Sequence, residues 1–252
     1  MQLKFSGNRV LILGGTCEMA LCLAEHLIKS GLYPVLSTRD EKGKKHIEDS
    51  LSAFDGKFET VYLNFSDVDS IKTLFPPNAI ADSHPDYLVD FAHGDLESLV
   101  ASETTHDIDL YFSENISFRA EIIKAVARAM LKKRKGRLMF ISSVAVLRPN
   151  PGQGFYSASK LASEALYKNI GLELGSRGIT TVSLRPGYID AGRGRNFIKQ
   201  NKKIIETIPI KKAIEPSEVA ETILFFLSES ARNFNAVEIT MDGGISASKY
   251  TL

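Results

Sequence analysis

The chain has 252 residues, 44% of them hydrophobic and 24% charged, and a formal net charge of +1. This is ordinary globular usage, and a near-neutral chain lacks the field that nucleic acid would demand. No apolar run can span a bilayer; the longest lies near Ile223-Leu-Phe-Phe-Leu227. The first nine residues contain no apolar signal region, so a cytoplasmic setting is expected. Cys17 and Cys22 lack metal-ligand spacing and are expected to be buried or inert thiols; no metal site is expected.

In chain order, strands and helices alternate without a linker. Val10–Leu13 reads as a short buried strand, and an amphipathic helix follows to Lys29, stopped by Ser30-Gly31. Pro34–Thr38 is a second strand, with a charged helix from about Glu41. Phe58–Asn64 is a third, with a helix begun by Ser66-Asp67. Tyr87–Ala92 is a fourth, and a long helix runs from about Glu114 to Lys133. Arg137–Ile141 is a fifth, followed by a helix through Tyr156 to about Gly175. Thr180–Leu184 is a sixth strand, Pro216–Ser228 a helix entered through Glu215-Pro216, and Val237–Met241 a seventh strand. Continuous β-branched strands alternating with helices predict an α/β fold, one doubly wound domain over 1–252 with a seven-stranded parallel sheet. Ligands in such a fold bind beyond the carboxyl ends of the strands, where strand order reverses.

Tyr156 and Lys160 are the first chemical signal. Four residues apart on a helix, they share one face. A phenol titrates near 10, and a neighbouring ammonium favours its ionised form, bringing it into range for acid–base work. The loop after the first strand, Gly14-Gly15-Thr16-Cys17-Glu18-Met19-Ala20, is the second signal. A glycine there permits a tight turn, and the following helix N-terminus can hold a pyrophosphate. Glu18 places a carboxylate where an anion should approach, so it must turn outward or pair with a base; Arg39 is one candidate partner.

From Val10 to Gly244 the chain resembles the short-chain dehydrogenases/reductases. The residues that carry the resemblance are Tyr156-x-x-x-Lys160, Ser142-Ser143 after strand five, Asn115 in the long helix, Arg185-Pro186-Gly187 after strand six, and Met241-Asp242-Gly243-Gly244. The closest flavour is the 3-oxoacyl-carrier-protein reductase group. The glycine loop, with Glu18 and Ala20 at the later positions, also resembles enoyl-reductase members, whose tyrosine–lysine spacing is longer.

The resemblance implies a Rossmann-type fold, a nicotinamide cofactor, and a homotetramer or homodimer joined through the two long helices and the last strand. It implies that Tyr156 passes a proton to the carbonyl oxygen, Ser143 holds that oxygen, Lys160 binds the nicotinamide ribose and tunes Tyr156, and Asn115 anchors a water leading from Lys160 to solvent. The cofactor would lie against Gly14, Thr16, Met19, Thr38, Arg39, Asn64, Phe65, Ala92, His93, Gly94, Tyr156, Lys160, Pro186, Gly187 and Ile189. Where the family has Asn-Asn-Ala-Gly, this chain has Asp90-Phe91-Ala92-His93-Gly94; Asp90 is expected as a buried acceptor in the sheet and His93 as a solvent-facing loop residue. Asn64 stands for the usual aspartate, and Tyr188-Ile189-Asp190-Ala191 lacks the family's cofactor-contacting threonine.

The second strand ends Ser37-Thr38-Arg39-Asp40. A guanidinium at this tip suits a 2′-phosphate, so NADPH is favoured and NADH is the alternative. Asp40 is expected to cap the next helix. Residues 188–212 are expected to form a substrate lid. From Gly192 to Lys212 it holds Arg193, Arg195, Lys199, Lys202, Lys203, Lys211 and Lys212 against Glu206 alone. Such a segment suits an anionic partner, such as an acyl carrier protein presenting a thioester; a small-molecule substrate is the alternative. Lys132–Lys135 read as charge complementing a helix C-terminus. Three functions stand at this point: a carbonyl reductase of a 3-oxoacyl thioester or related intermediate, a dehydrogenase of a small alcohol, sugar or cyclic substrate, and a non-catalytic oligomeric partner.

Overall fold

A computed structural model describes residues 3–74 and 84–248; the remaining parts of the expected 1–252 domain lie outside the described residues. Seven parallel strands are ordered β3-β2-β1-β4-β5-β6-β7. They are β1 (Arg9–Leu13), β2 (Tyr33–Thr38), β3 (Glu59–Tyr62), β4 (Tyr87–Asp90), β5 (Gly136–Ile141), β6 (Ile179–Pro186) and β7 (Val237–Met241). All residues of β4 and β5 are buried, which is why Tyr87–Val89 and Leu138–Ile141 run apolar without alternating.

Side chains of one strand separate to two faces. Val10 and Ile12 join Leu23 and Leu27 of α1 (Glu18–Lys29) and Ile223 and Leu227 of α9 (Pro216–Leu227). Leu11 and Leu13 instead meet Ile122, Val126 and Met130 of α5 (Arg119–Lys133) and Tyr167 of α6 (Gly154–Leu174). The short α3 (Ser70–Leu74) follows β3 and adds Ile71 to this second face. Local chemistry sets the helix entries. Asp40 caps α2 (Glu41–Ser50) by accepting from Gly43 N at 2.6 Å, as expected. Glu215 and Glu218 close a reciprocal capping box behind Pro216.

Three differences from the sequence reading bear on the site. The helix expected from Glu114 starts earlier, as α4 (Thr105–Phe112), because Thr104 caps it at Asp107 N. It then widens into a π-helical segment, Ser113–Phe118, before continuing as α5. The basic segment after β6 contains α7 (Gly192–Gln200) and α8 (Ile204–Thr207). Cys17 is exposed as a residue, but its Sγ accepts from Ala20 N at the start of α1 and desolvation raises the thiol above its ordinary range, which leaves it the inert one of the two alternatives expected. No helix among the described residues is long and apolar enough to cross a membrane.

Candidate active site

Strand order reverses between β1 and β4, so the loops leaving them flank a crevice at the carboxyl edge of the sheet. Gly14, with φ of +73°, turns the chain out of β1; a Cβ there would sit 3.0 Å from Ala92 N. The two loops therefore touch backbone to backbone. They open onto a cavity of about 490 Å³ whose walls include Gly14, Thr16, Thr38, Arg39, Asn64, Phe65, Ala92, His93 and Gly94. Its volume is in the range of small-ligand sites. Arg39 is 82% exposed at its rim, with only a loose 3.9 Å approach to Asp40.

Sequence reasoning missed Lys42, Gly43 and His46 on the same wall. Lys42 and His46 are one turn apart on α2 and face the strand tip; that spacing was the available signal. Gly43 lets α2 lie close, since a Cβ would come within 2.3 Å of Thr38 Oγ1. A glycine cradle with basic groups at one end fits a phosphorylated dinucleotide. Other expected contacts lie outside this cavity wall. Met19 packs on the core, Gly187 N bonds Met241 O at 2.8 Å, and Ile189 bridges to Ile214. Pro186 is buried at the end of β6.

Tyr156 and Lys160 occupy the first two turns of α6, opposite the end of β5. Ser143, just past β5, lies near enough to the Tyr156 hydroxyl to pull its titration down, and its Oγ accepts from Ala145 N at 3.1 Å. Lys160 is 4% exposed; its Nζ donates to Ile141 O at 2.7 Å and lies 4.8 Å from the Phe140 ring centre and 5.8 Å from that of Tyr156. Burial lowers the Lys160 ammonium to about 7; Arg119 adds to the effect and Asp90 opposes it. Burial also raises the Tyr156 phenol above its ordinary range, outweighing the opposing influence of Ser143. The expected lowering of the phenol by Lys160 is therefore not the dominant influence in this arrangement.

Asn115 sits in the π-helical segment, fully enclosed; such widened turns recur at functional sites. Its side chain accepts from Gly94 N at 2.9 Å and donates to Tyr111 O at 2.8 Å, fastening the β4 loop to α4. Its main-chain oxygen accepts from Arg119, which leaves one lone pair for the water expected there. Behind Lys160 lies the ion pair Asp90–Arg119, 2.8 Å apart with both side chains at 0% exposure. Arg119 also donates to Ala92 O and to Ser163 Oγ, and Tyr167 Oη donates to Asp90 at 2.9 Å. Asp90 is thus the buried acceptor that was expected.

Two side chains depart from expectation. His93 does not face solvent. It is half-buried, edge-on to the Tyr156 ring with centres 4.9 Å apart, and its Nε2 bonds Tyr111 Oη at 2.8 Å and Ser159 Oγ at 3.3 Å. Burial holds this imidazole neutral, its titration far below the usual range. Glu18 pairs with Arg195 at 2.6 Å, not with Arg39, and Arg193 pairs with Asp95 at 2.6 Å.

Fold and crevice define a Rossmann-type α/β protein with a half-buried Tyr156–Ser143 pair and a buried Lys160 beside the cleft at the switch in strand order. The chain belongs to the short-chain dehydrogenase/reductase family and is an oxidoreductase: a family model described as enoyl-(acyl carrier protein) reductase matches residues 17–246. It is 30% identical to the 3-oxoacyl-(acyl-carrier-protein) reductase FabG of Buchnera aphidicola subsp. Acyrthosiphon pisum, over 96% of this chain and 99% of that one. Its identity to the FabG of Escherichia coli K12 is 28%, with the same coverage. Among solved structures, gox2181 superposes with a TM-score of 0.89 at 20% identity, covering 98% of each chain. ElxO with NADP bound does so with a TM-score of 0.86 at 22% identity, covering 96% of this chain and 100% of that one.

Proposed function

We propose that the chain is an NADPH-dependent carbonyl reductase of a 3-oxoacyl thioester or a related intermediate. The observation that carries this reading is the grouping of Ser143, Tyr156 and buried Lys160 between the end of β5 and the start of α6, with the Tyr156 ring edge-on to His93 of the crevice wall. The FabG relatives are named as 3-oxoacyl-carrier-protein reductases and cover almost the whole chain. The four-residue Tyr156–Lys160 spacing favours this reading over enoyl reduction.

A bound nicotinamide would supply the hydride. Ser143 donates a hydrogen bond to the substrate carbonyl oxygen, and Tyr156 transfers its phenolic proton to that oxygen as charge develops. Lys160, when charged, stabilises the phenolate left behind and donates to the cofactor ribose. Asn115 and His93 keep the loop and the tyrosine ring in place. Exposed Leu110, Leu161 and Leu172 on α4 and α6 support association of two copies through these helices.

Arg39 would meet the 2′-phosphate, with Thr38, Lys42 and His46 around it. NADPH is expected to bind more tightly than NADH in a fluorescence titration. Arg39→Ala is expected to weaken NADPH by roughly tenfold, the scale of one charge-assisted hydrogen bond, with NADH little changed. Equal or tighter binding of NADH by the unmodified protein would sink the NADPH assignment. Reduction of a 3-oxoacyl thioester with that cofactor, tested against a panel of alcohols in the reverse direction, decides the reaction.

The 188–212 segment would cover the substrate. Three of its cations already serve internal acidic partners, Arg193 with Asp95, Arg195 with Glu18 and Lys212 with Glu218, and Lys211 donates to Glu206 O. Carrier recruitment therefore rests on Lys199, Lys202 and Lys203, for which no acidic partner appears among the described residues. Reversing two of these lysines to Glu is expected to raise KM severalfold for a carrier-bound thioester, an effect that fades with salt, and to leave a small neutral ketone nearly unaffected. An equal change with both substrates would remove the carrier from the reading.

A further inference from the structure

Glu18 is the first residue of α1, directly after the glycine turn, where a dinucleotide's diphosphate would rest on the helix N-terminus. An unpaired carboxylate there would repel it. The structure shows how the charge is handled. Glu18 Oε1 pairs with Arg195 Nη2 at 2.6 Å, and Glu18 Oε2 with Nη1 at 3.2 Å, a two-point fork. Glu18 Oε2 also accepts from Gly192 N at 3.1 Å. No side chain of its own caps the start of α7, so a carboxylate more than 170 residues away does so instead.

Four of the five guanidinium N–H donors are committed. Arg195 Nε donates to Asp190 Oδ1 at 2.8 Å, and Nη2 also donates to Asp190 O at 2.6 Å. The Arg195 fork holds the Glu18 carboxylate below its ordinary range, with the Gly192 amide contributing. On the other side of the crevice, Arg193 reaches Asp95 in the loop after β4 at 2.6 Å. The first turn of α7 is thus tied to both strand-end loops that flank the switch in strand order.

We propose that Glu18 and Arg195 form a charge-compensating clasp: Arg195 makes the carboxylate at position 18 compatible with a diphosphate, and the pair fastens α7 across the cofactor crevice. The inference rests on the dinucleotide reading above. Arg195 is a positioning residue here, acting through Glu18 rather than through the reacting atoms. The sign of each substitution follows. Removing Arg195 alone leaves an unpaired carboxylate at the start of α1, where the phosphates would rest, and releases the helix. Removing Glu18 alone leaves a cation nearby and does not repel the ligand. Removing both charges cancels the repulsion.

NADPH affinity, measured by fluorescence titration on the full chain, separates these cases. Arg195→Met is expected to weaken binding roughly tenfold, as one uncompensated like charge at this range does near a protein surface. Glu18→Gln is expected to bind within about threefold of the unmodified protein, or more tightly. The double variant Glu18→Gln/Arg195→Met is expected to recover to within about threefold. Trypsin should cut the 192–203 segment faster in Arg195→Met and in the double variant than in the unmodified protein. A double variant as weak as Arg195→Met would overturn the clasp, since Arg195 would then act on the phosphates directly. Unchanged affinity in Arg195→Met would overturn it as well. If the unmodified chain binds neither NADPH nor NADH, it is the dinucleotide reading that fails, a result distinct from either.

Discussion

Tyr156→Phe is expected to lower kcat for ketone reduction by at least about 10²-fold while leaving the NADPH Kd within about threefold. The change keeps the ring that packs edge-on to His93 and removes only the hydroxyl with its transferable proton. General acid catalysis contributes roughly 10²–10⁴ in rate, so the loss belongs in kcat rather than in KM. A variant retaining most of its activity would show that another group protonates the carbonyl. The pH profile carries the same argument further. Lys160 titrates near 7 because of burial and the Arg119 charge, and the proposed chemistry needs its charged form. Reduction should therefore fall as pH rises through about 7 in the free enzyme. Lys160→Arg stays charged across that range, so whatever activity it keeps should lose this limb. A flat profile in the unmodified protein between pH 6 and 8 would contradict the requirement.

The sheet was legible because its central strands are buried and mostly apolar; Val10–Leu13 and Arg137–Ile141 differ from the observed strands by one residue each. The π-helical segment was not legible. Helical periodicity passes through Ser113–Phe118 unbroken, and the widening is set by tertiary contacts of Asn115 with Gly94 and Tyr111. Glu18 was recognisable as a misplaced charge, but its partner lies 177 positions away among seven cations of one segment, and only the path of the chain chooses Arg195. His93 was misplaced because a loop histidine ordinarily faces water; here Tyr111 and Ser159 offer hydroxyls that make a half-buried neutral ring acceptable. Arg119 did leave a signal. It stands between Phe118 and the Ile122-Ile123 pair on the apolar face of a helix, opposite the acid of β4, and a cation in that position needs a buried anion.

That pair carries the largest expected effect on stability. Arg119→Met is expected to cost about 3–5 kcal/mol, the range for breaking a buried ion pair by removing one partner. Asp90 would keep only Tyr167 Oη at 2.9 Å and Ala92 N at 3.0 Å around a charge with no access to water. For a chain of this size the loss corresponds to a fall in Tm of roughly 10 °C. The consequence reaches the site, because Arg119 also holds the carbonyls of Ala92 and Asn115, one on the crevice wall and one in the π-helical turn. Cofactor affinity should weaken along with stability. The double variant Asp90→Asn/Arg119→Met buries no charge, and the amide oxygen introduced at position 90 could still accept from Tyr167 and Ala92; this form is expected to regain most of the lost stability. Thermal and denaturant unfolding of the three forms decides the matter. If Arg119→Met loses less than about 1 kcal/mol, or if the double variant is no better than the single one, the pair is not what holds the β4 loop against α5. Recovery of stability without recovery of cofactor affinity would instead assign Arg119 a separate part in shaping the crevice, through the two carbonyls it holds.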